Sequence, residues 1–363
     1  MASTITKNDQ QYDEASQQLK AFEDSKLGVK GISDSRLPTI PSIFIHPKTT
    51  QLIRTTSSAT IPVIDLQGGL ALRDKIVQQV KDVAESWSIF RVVNHGIKQS
   101  LLDEVIAGAK GFHEQDDEIK RGFYSRDVST KRVAFSSNYN ISLRRPLDWR
   151  DTLSCYVTPH LPVDEFPAVC RDSFIEYTNE VKKLGLTLFE LLSLSLGLKN
   201  THLEEMGCAE RLCIFGNYYP PCPQPELTLG VSSHADTGLL TVLLQDQVEG
   251  LQLLRDGQWF DVPNVAGSLI INMGYLMQLI TNDKFKAVTH RVVVSKETRV
   301  SVPTLFGTVH NNRGDDKHVF RPIKELISDE SPLRYRNVSV GEYVKCLYNK
   351  PPEFSSVLEC FKL

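Results

Sequence analysis

The sequence predicts a mixed α+β protein with a mainly β core, a sandwich or barrel of short strands supported by helices. Three observations carry this. In "ALRDKIVQQVKDVAESW", Leu72, Ile76, Val80, Val83 and Trp87 recur at spacings of three and four, the period of an amphipathic helix. Residues 171–198 form a longer helical stretch. Its most apolar part, "LGLTLFELLSLSLGL", is shorter than a membrane span and carries Glu190, so it reads as a buried core helix. From about residue 210 the texture changes to short Val, Leu, Ile and Thr runs broken every 8–12 residues by Gly, Pro, Asn or Asp.

Taken in chain order, the first residues are polar, with a short helix around 10–25, and then form an arm punctuated by Pro38, Pro41 and Pro47. "IPVIDLQG" (61–68) alternates β-branched residues before a glycine, a strand signal. "IFRVVNHG" is a short apolar strand ending at a turn, and residues 99–121 return to a helical period. The acidic residues Glu114, Asp116, Asp117 and Glu118 mark a solvated face there. Strands are expected at "LCIFGNYYP", "LTVLLQD", "GLQLLRDGQWFDV", "GSLIINMG", "HRVVVS" and "RVSVPTLFG", with an Asp-Gly hairpin turn inside "LRDGQWF". "VGEYVKCLYNK" is a terminal helix. The chain thus divides into an N-terminal arm (1–60), a helical support region (61–205), a β core (206–310) and a C-terminal helical segment (311–363).

Composition narrows the function classes. A 363-residue chain that is 41% hydrophobic and 23% charged can bury a sizeable core. Its net charge of -3, with no basic run interleaved with aromatics, gives no footprint for nucleic acid or an anionic membrane. The expected partner is a small-molecule substrate, and nothing demands an oligomer, so a monomer is expected. The N-terminal stretch has no apolar h-region, which favours a cytoplasmic protein. Seven cysteines, an odd number without a C-x-x-C pair, are expected to be reduced thiols. The ending Cys360-Phe361-Lys362-Leu363 resembles a prenylation box, but Lys362 breaks its aliphatic requirement.

The residues that carry chemistry lie in the strand-rich half. In "SSHADTGLLTVLLQDQ", His234 and Asp236 are two positions apart at the mouth of a strand, so both address one face. An H-x-D pair alone is common by chance and can equally cap a strand. His290 supplies the third donor, opening the strand "HRVVVS". Two imidazoles and one carboxylate on one side of an ion, with open positions opposite, mark non-haem Fe(II) oxygenases. Arg299 and Ser301 are again two apart on one strand face, a guanidinium fork beside a hydroxyl suited to a carboxylate. A hydrolytic zinc enzyme has no use for that clamp, whereas an oxygenase drawing electrons from a dicarboxylic keto acid does.

With these residues in place, "VVNHGI", "NYYPPCPQPELTLGVSSHAD", "GLQLLRDGQWFDVPNVAGSLIINMG", "LITNDKFKAVTHRV" and "RVSV" resemble the plant 2-oxoglutarate- and Fe(II)-dependent dioxygenases. "GFHEQDDEIKRGFYSRD", "SSNYN" and "FELLSLSLGLKNTHLEEMGCAE" are similar to one branch of them. It holds the desacetoxyvindoline 4-hydroxylase-like enzymes and the homologues of aminocyclopropane-carboxylate oxidase. The resemblance implies a double-stranded β-helix (jelly-roll) core flanked by helices. It implies that His234, Asp236 and His290 bind Fe(II), that Arg299 and Ser301 hold 2-oxoglutarate with Asn217 and Tyr219 assisting, and that O2 is consumed with ascorbate as reductant. It also implies hydroxylation of a plant specialised metabolite such as an alkaloid. Pocket shape then sets specificity, and Tyr139, Phe215, Phe306 and His310 are the candidate lining residues, with core packing the competing role for both phenylalanines. Tyr275 stands where many relatives carry an aspartate after Asn-x-Gly, a change expected to reshape the pocket or remove a polar contact. Two alternatives remain: a 2-oxoglutarate-independent oxidase using ascorbate, of the aminocyclopropane-carboxylate oxidase type, and a non-catalytic jelly roll that binds a small molecule.

Overall fold

A computed structural model describes residues 7–47, 60–68, 72–127, 131–138, 146–157, 162–307, 318–349 and 356–363. In chain order the N-terminal half supplies α1 (Lys7–Ser25), α2 (Gly28–Asp34), β1 (Val63–Asp65), α3 (Arg73–Ser86), β2 (Ile89–Val93), α4 (Gln99–His113), α5 (Asp117–Phe123), β3 (Val133–Ser137), β4 (Asp151–Tyr156), α6 (Arg171–Ser195) and α7 (His202–Glu205). Strands then dominate: β5 (Leu212–Tyr219), β6 (Leu229–His234), β7 (Leu240–Gln245), β8 (Leu251–Arg255), β9 (Gln258–Asp261) and β10 (Leu269–Met273). After α8 (Tyr275–Ile280) come β11 (His290–Val293) and β12 (Arg299–Phe306). The short β13 (Val319–Phe320) and β14 (Val338–Ser339) precede α9 (Val340–Asn349).

β13 and β14 pair in a separate two-stranded sheet. The other two sheets enclose a cavity. The larger has the order β1-β2-β10-β7-β12-β5-β4-β3, antiparallel except for the β1–β2 pair, and the smaller has the order β6-β11-β8-β9. This is the jelly-roll arrangement, with the helices packed outside the larger sheet. Four strands of that sheet come from the region read from sequence as helical support. Two of them, β3 and β4, gave no period-2 signal.

Strand alternation explains both faces of the larger sheet. On β12, Arg299, Ser301, Pro303 and Leu305 line the cavity. Val300, Val302 and Phe306 turn the other way, into the main apolar core shared with α4 and α6. The Phe306 ring meets Phe189 edge-on at 5.5 Å and lies against Gly185, where α6 passes close to the sheet. Pro303 has no N–H to give, and the β12–β5 ladder is interrupted between Ser301 and Thr304. On β5 the same alternation sends Phe215, Asn217 and Tyr219 inward, while His113 of α4 donates from Nε2 to the Gly216 carbonyl behind the sheet at 2.9 Å.

One buried carboxylate ties α2 to the larger sheet. Asp151, at the start of β4, accepts the backbone N–H groups of Val29 and Lys30 in α2, each at 2.8 Å. Gly28 has φ +70, and the Asp151 carboxylate occupies the space a Cβ would need, so only glycine fits.

The Asp-Gly hairpin turn is as expected: Asp256 and Gly257 join β8 to β9 with φ of 49 and 76. The expectation that every cysteine is a thiol fails for one pair. Cys346 and Cys360 are joined by a disulfide, because α9 folds back on the last turn of chain and brings their Cα atoms to 6.8 Å. The bond also removes Cys360 from any prenylation chemistry, and the next residue, Phe361, is buried. The other five cysteines are buried and free. Among the described residues no helix is long and apolar enough to cross a membrane.

Candidate metal and co-substrate site

β6 and β11 are antiparallel neighbours, and their register sets His234 directly opposite His290. The two rings lie 4.3 Å apart between centroids. Asp236 follows β6 after one spacer residue, and its Oδ1 lies 3.7 Å from His234 Nε2 and 3.6 Å from His290 Nε2. One ligand atom from each of the three residues falls within 4.8 Å of the others.

Each imidazole is oriented by its own strand. His234 Nδ1 donates to the Ser232 carbonyl at 2.9 Å, and His290 Nδ1 donates to the Val288 carbonyl at 3.1 Å. A carbonyl can only accept, so both Nδ1 atoms carry a proton, and both Nε2 atoms face the Asp236 carboxylate. This is how metal-binding histidines are ordinarily held. Although 39% of the His234 side chain reaches solvent at the cavity mouth, burial of the ring and the neighbouring His290 push its imidazole down to about 4. Burial works against ionisation of Asp236, but the two imidazoles and hydrogen bonds from Thr241 and Asn272 outweigh it and lower its carboxyl below the usual value. At neutral pH the set therefore offers a neutral imidazole at His234 and a carboxylate at Asp236, donors that fit an iron(II) ion.

The loop behind Asp236 is braced by α8. The Tyr275 N–H donates to the Asp236 carbonyl at 2.8 Å, and Leu276 N–H to the Gly238 carbonyl at 3.0 Å. A Cβ at Gly274 would overlap the Gly238 carbonyl and come within 2.9 Å of the Asp236 carbonyl, so this approach requires glycine. The Tyr275 side chain turns toward Ser356 and Tyr343 of the C-terminal segment. It is not among the described residues that line the cavity, which speaks against a reshaped pocket, the first of the two outcomes expected of this change.

A cavity of about 200 Å³ extends from the triad between the sheets. One wall carries Arg299, Ser301, Asn217 and Tyr219 on adjacent strands, with Arg299 registered to Tyr219 and Ser301 to Asn217. Arg299 is 3% exposed. Its Nε donates to the Val248 carbonyl at 3.1 Å, and one Nη donates to Gln245 Oε1 at 2.9 Å. Its other Nη is buried with no partner. The guanidinium stands over the Tyr219 ring at 4.9 Å, and the Tyr219 hydroxyl is 3.4 Å from Ser301 Oγ. A buried guanidinium with one arm unmet, beside two hydroxyls, fits an incoming carboxylate such as that of 2-oxoglutarate.

The sequence-derived set is thus largely brought together. His234, Asp236, His290, Arg299, Ser301, Asn217, Tyr219 and Phe215 all line this cavity. Phe306 does not: it is one strand position out of phase with Arg299 and Ser301 and lies in the core. Tyr139 and His310 fall outside the described residues. Several lining residues escaped the sequence reading, among them Arg150 and Thr152, on either side of the start of β4, and Asn272. Thr152 Oγ1 donates to Asn217 Oδ1 at 2.9 Å.

Comparison with known proteins agrees with this geometry. Residues 211–308 match the model of the 2OG-Fe(II) oxygenase superfamily, and residues 61–173 match that of the N-terminal region of a non-haem dioxygenase in morphine synthesis. Deacetoxyvindoline 4-hydroxylase of Catharanthus roseus is 47% identical over 361 residues, spanning 97% of this chain and 90% of that relative. The 1-aminocyclopropane-1-carboxylate oxidase homolog 1 of Arabidopsis thaliana is 46% identical over 355 residues, spanning 95% of this chain and 96% of that protein. Among solved structures, JOX2 in complex with 2OG, Fe and JA superposes with a TM-score of 0.81 at 29% identity, covering 93% of this chain and 97% of JOX2.

Proposed function

The chain belongs to the 2OG-Fe(II) oxygenase superfamily, and within it we propose that this enzyme hydroxylates a plant specialised metabolite, an alkaloid being one candidate. As a dioxygenase of this superfamily it uses Fe(II), 2-oxoglutarate and O2. The alkaloid candidate draws on the Catharanthus relative, a deacetoxyvindoline hydroxylase sharing 47% of aligned residues. The observation that carries the site assignment is the convergence of two oriented imidazoles, one carboxylate and an unpartnered buried arginine arm on one cavity.

In this reading His234, Asp236 and His290 hold the iron. Arg299 receives the distal carboxylate of 2-oxoglutarate, with Ser301 and the Tyr219 hydroxyl completing its hydrogen bonds and Asn217, fixed by Thr152, beside them. When bound, iron and 2-oxoglutarate supply O2 activation, with oxidative decarboxylation of the keto acid to succinate and CO2 and insertion of one oxygen into a C–H bond. The protein's share is placement. Strand register fixes the triad, Ser232 and Val288 carbonyls fix the imidazole tautomers, and Val231, Leu243, Leu251, Val292 and Leu305 supply the apolar part of the lining. No side-chain acid or base is required.

The test is metabolite profiling of the source tissue with and without this protein, followed by turnover of any feature that differs by one oxygen. The reading expects succinate released in step with product. Product formation without succinate would contradict it and favour the ascorbate-using oxidase alternative.

A further inference from the structure

We propose that Arg150 is a specificity-determining residue that holds a carboxylate of the substrate, so that the metabolite oxidised in this cavity is an organic acid. The inference rests on the dioxygenase reading above and narrows its substrate class to acids, which sets aside an alkaloid that carries only a basic amine.

Arg150 lies immediately before β4, two residues from Thr152, and both line the cavity with His234. Its Nε is buried and has no hydrogen-bond partner. Among the described residues, three nearby carboxylates have other partners. Asp148 Oδ1 accepts the N–H and hydroxyl of Ser232, at 2.9 and 2.5 Å. Asp151 points to the far side of the strand, where it takes the N–H groups of α2. Asp236 sits between the two imidazoles.

Among the described residues lining the cavity, the fixed charges are Asp236, Arg299 and Arg150. The first belongs with the metal and the second with the keto acid. Among the described lining residues that leaves Arg150 as the cation without an assigned anion. Leaving a guanidinium nitrogen buried and unmet is unfavourable, and a ligand acceptor relieves it. A planar fork selects a carboxylate over a neutral carbonyl through charge-assisted, bidentate bonding. A substrate ammonium placed there would meet like charge.

The test uses the full chain loaded with Fe(II) and 2-oxoglutarate under argon. The probes are cinnamate and indole-3-propionate, their methyl esters, and tryptamine, with binding followed by calorimetry. The acids should bind about tenfold or more tightly than their esters, the effect of one charge-assisted bond, and tryptamine should not bind. Arg150→Met should bring acids and esters to parity, and Arg150→Lys should recover part of the preference. Equal binding of acids and esters by the wild type would overturn the inference, as would absence of acid binding at millimolar concentration. An Arg150→Met enzyme that keeps the acid preference but needs more 2-oxoglutarate would also overturn it, by assigning Arg150 to the co-substrate. Failure of the parent reading looks different: in air, the wild type would then release no succinate from 2-oxoglutarate with or without probes.

Discussion

Replacing Arg299 by lysine keeps the positive charge and removes the fork. In the native site Nε and one Nη hold the Val248 carbonyl and the Gln245 side chain at 3.1 and 2.9 Å, which leaves the remaining Nη free for a ligand oxygen. A single Nζ cannot serve all three directions. Either the carboxylate of 2-oxoglutarate loses a charge-assisted hydrogen bond, or the two protein acceptors are left buried and unmet. The first loss is worth about 1.5–3 kcal/mol, which corresponds to a rise of about 10- to 150-fold in the KM for 2-oxoglutarate. Succinate release at saturating O2, measured against 2-oxoglutarate concentration, gives that KM directly. Fe(II) affinity, measured in the same preparation, should stay within about threefold because Arg299 is not among the three metal donors. An unchanged KM would refute the clamp assignment, and loss of iron with an unchanged KM would move Arg299 to the metal side of the site.

Two further outcomes follow from the packing. Gly274→Ala drives a methyl into the carbonyls of Gly238 and Asp236, so it should cost about 1–3 kcal/mol of stability and weaken Fe(II) binding by displacing Asp236; thermal melting with and without Fe(II) checks both. His113 is buried behind the sheet, and burial lowers its imidazole from 6.5 to about 3, against the hydrogen bond to Gly216. A depressed folded-state value means the fold favours the neutral ring. This contribution is complete above about pH 6.5 and is lost as pH falls toward 3, at up to about 1.4 kcal/mol per unit. His113→Gln should flatten the urea-stability profile between pH 6.5 and 4.5, and an unchanged slope would exclude His113 as the titrating group.

The strand-rich half and most of the site residues were legible in the sequence because strand chemistry has a period of two. His234 and Asp236, and Arg299 and Ser301, share a face by spacing alone, and the register of β6 with β11 then brings His290 opposite His234. The same rule, carried on along β12, places Phe306 on the helix side, so its assignment to the pocket was an error of phase. β3 and β4 were illegible because their polar residues have internal partners on both faces: Asp151 captures α2 while Thr152 binds Asn217. A half-buried strand normally alternates apolar with polar, and "DTLSCY" does not. Missing β4 meant missing Arg150. Whether Tyr275 reshapes the pocket or removes a polar contact was open in the sequence, because it follows a strand at the core's open end. The tight Gly274 turn instead starts a helix and sends the side chain toward the C-terminal segment. The Cys346–Cys360 bond depends on how α9 folds back, a tertiary arrangement that cysteine spacing does not encode.

The central claim, that His234, Asp236 and His290 hold iron and that the adjoining cavity takes 2-oxoglutarate onto it, is tested most directly by anaerobic titration. Fe(II) added to the wild type under argon, followed by 2-oxoglutarate, should produce a weak visible charge-transfer band. Asp236→Ala should abolish the band, and Arg299→Lys should require more 2-oxoglutarate to reach the same intensity. A wild-type protein that develops no band, or an Asp236→Ala protein that develops it in full, would contradict the account.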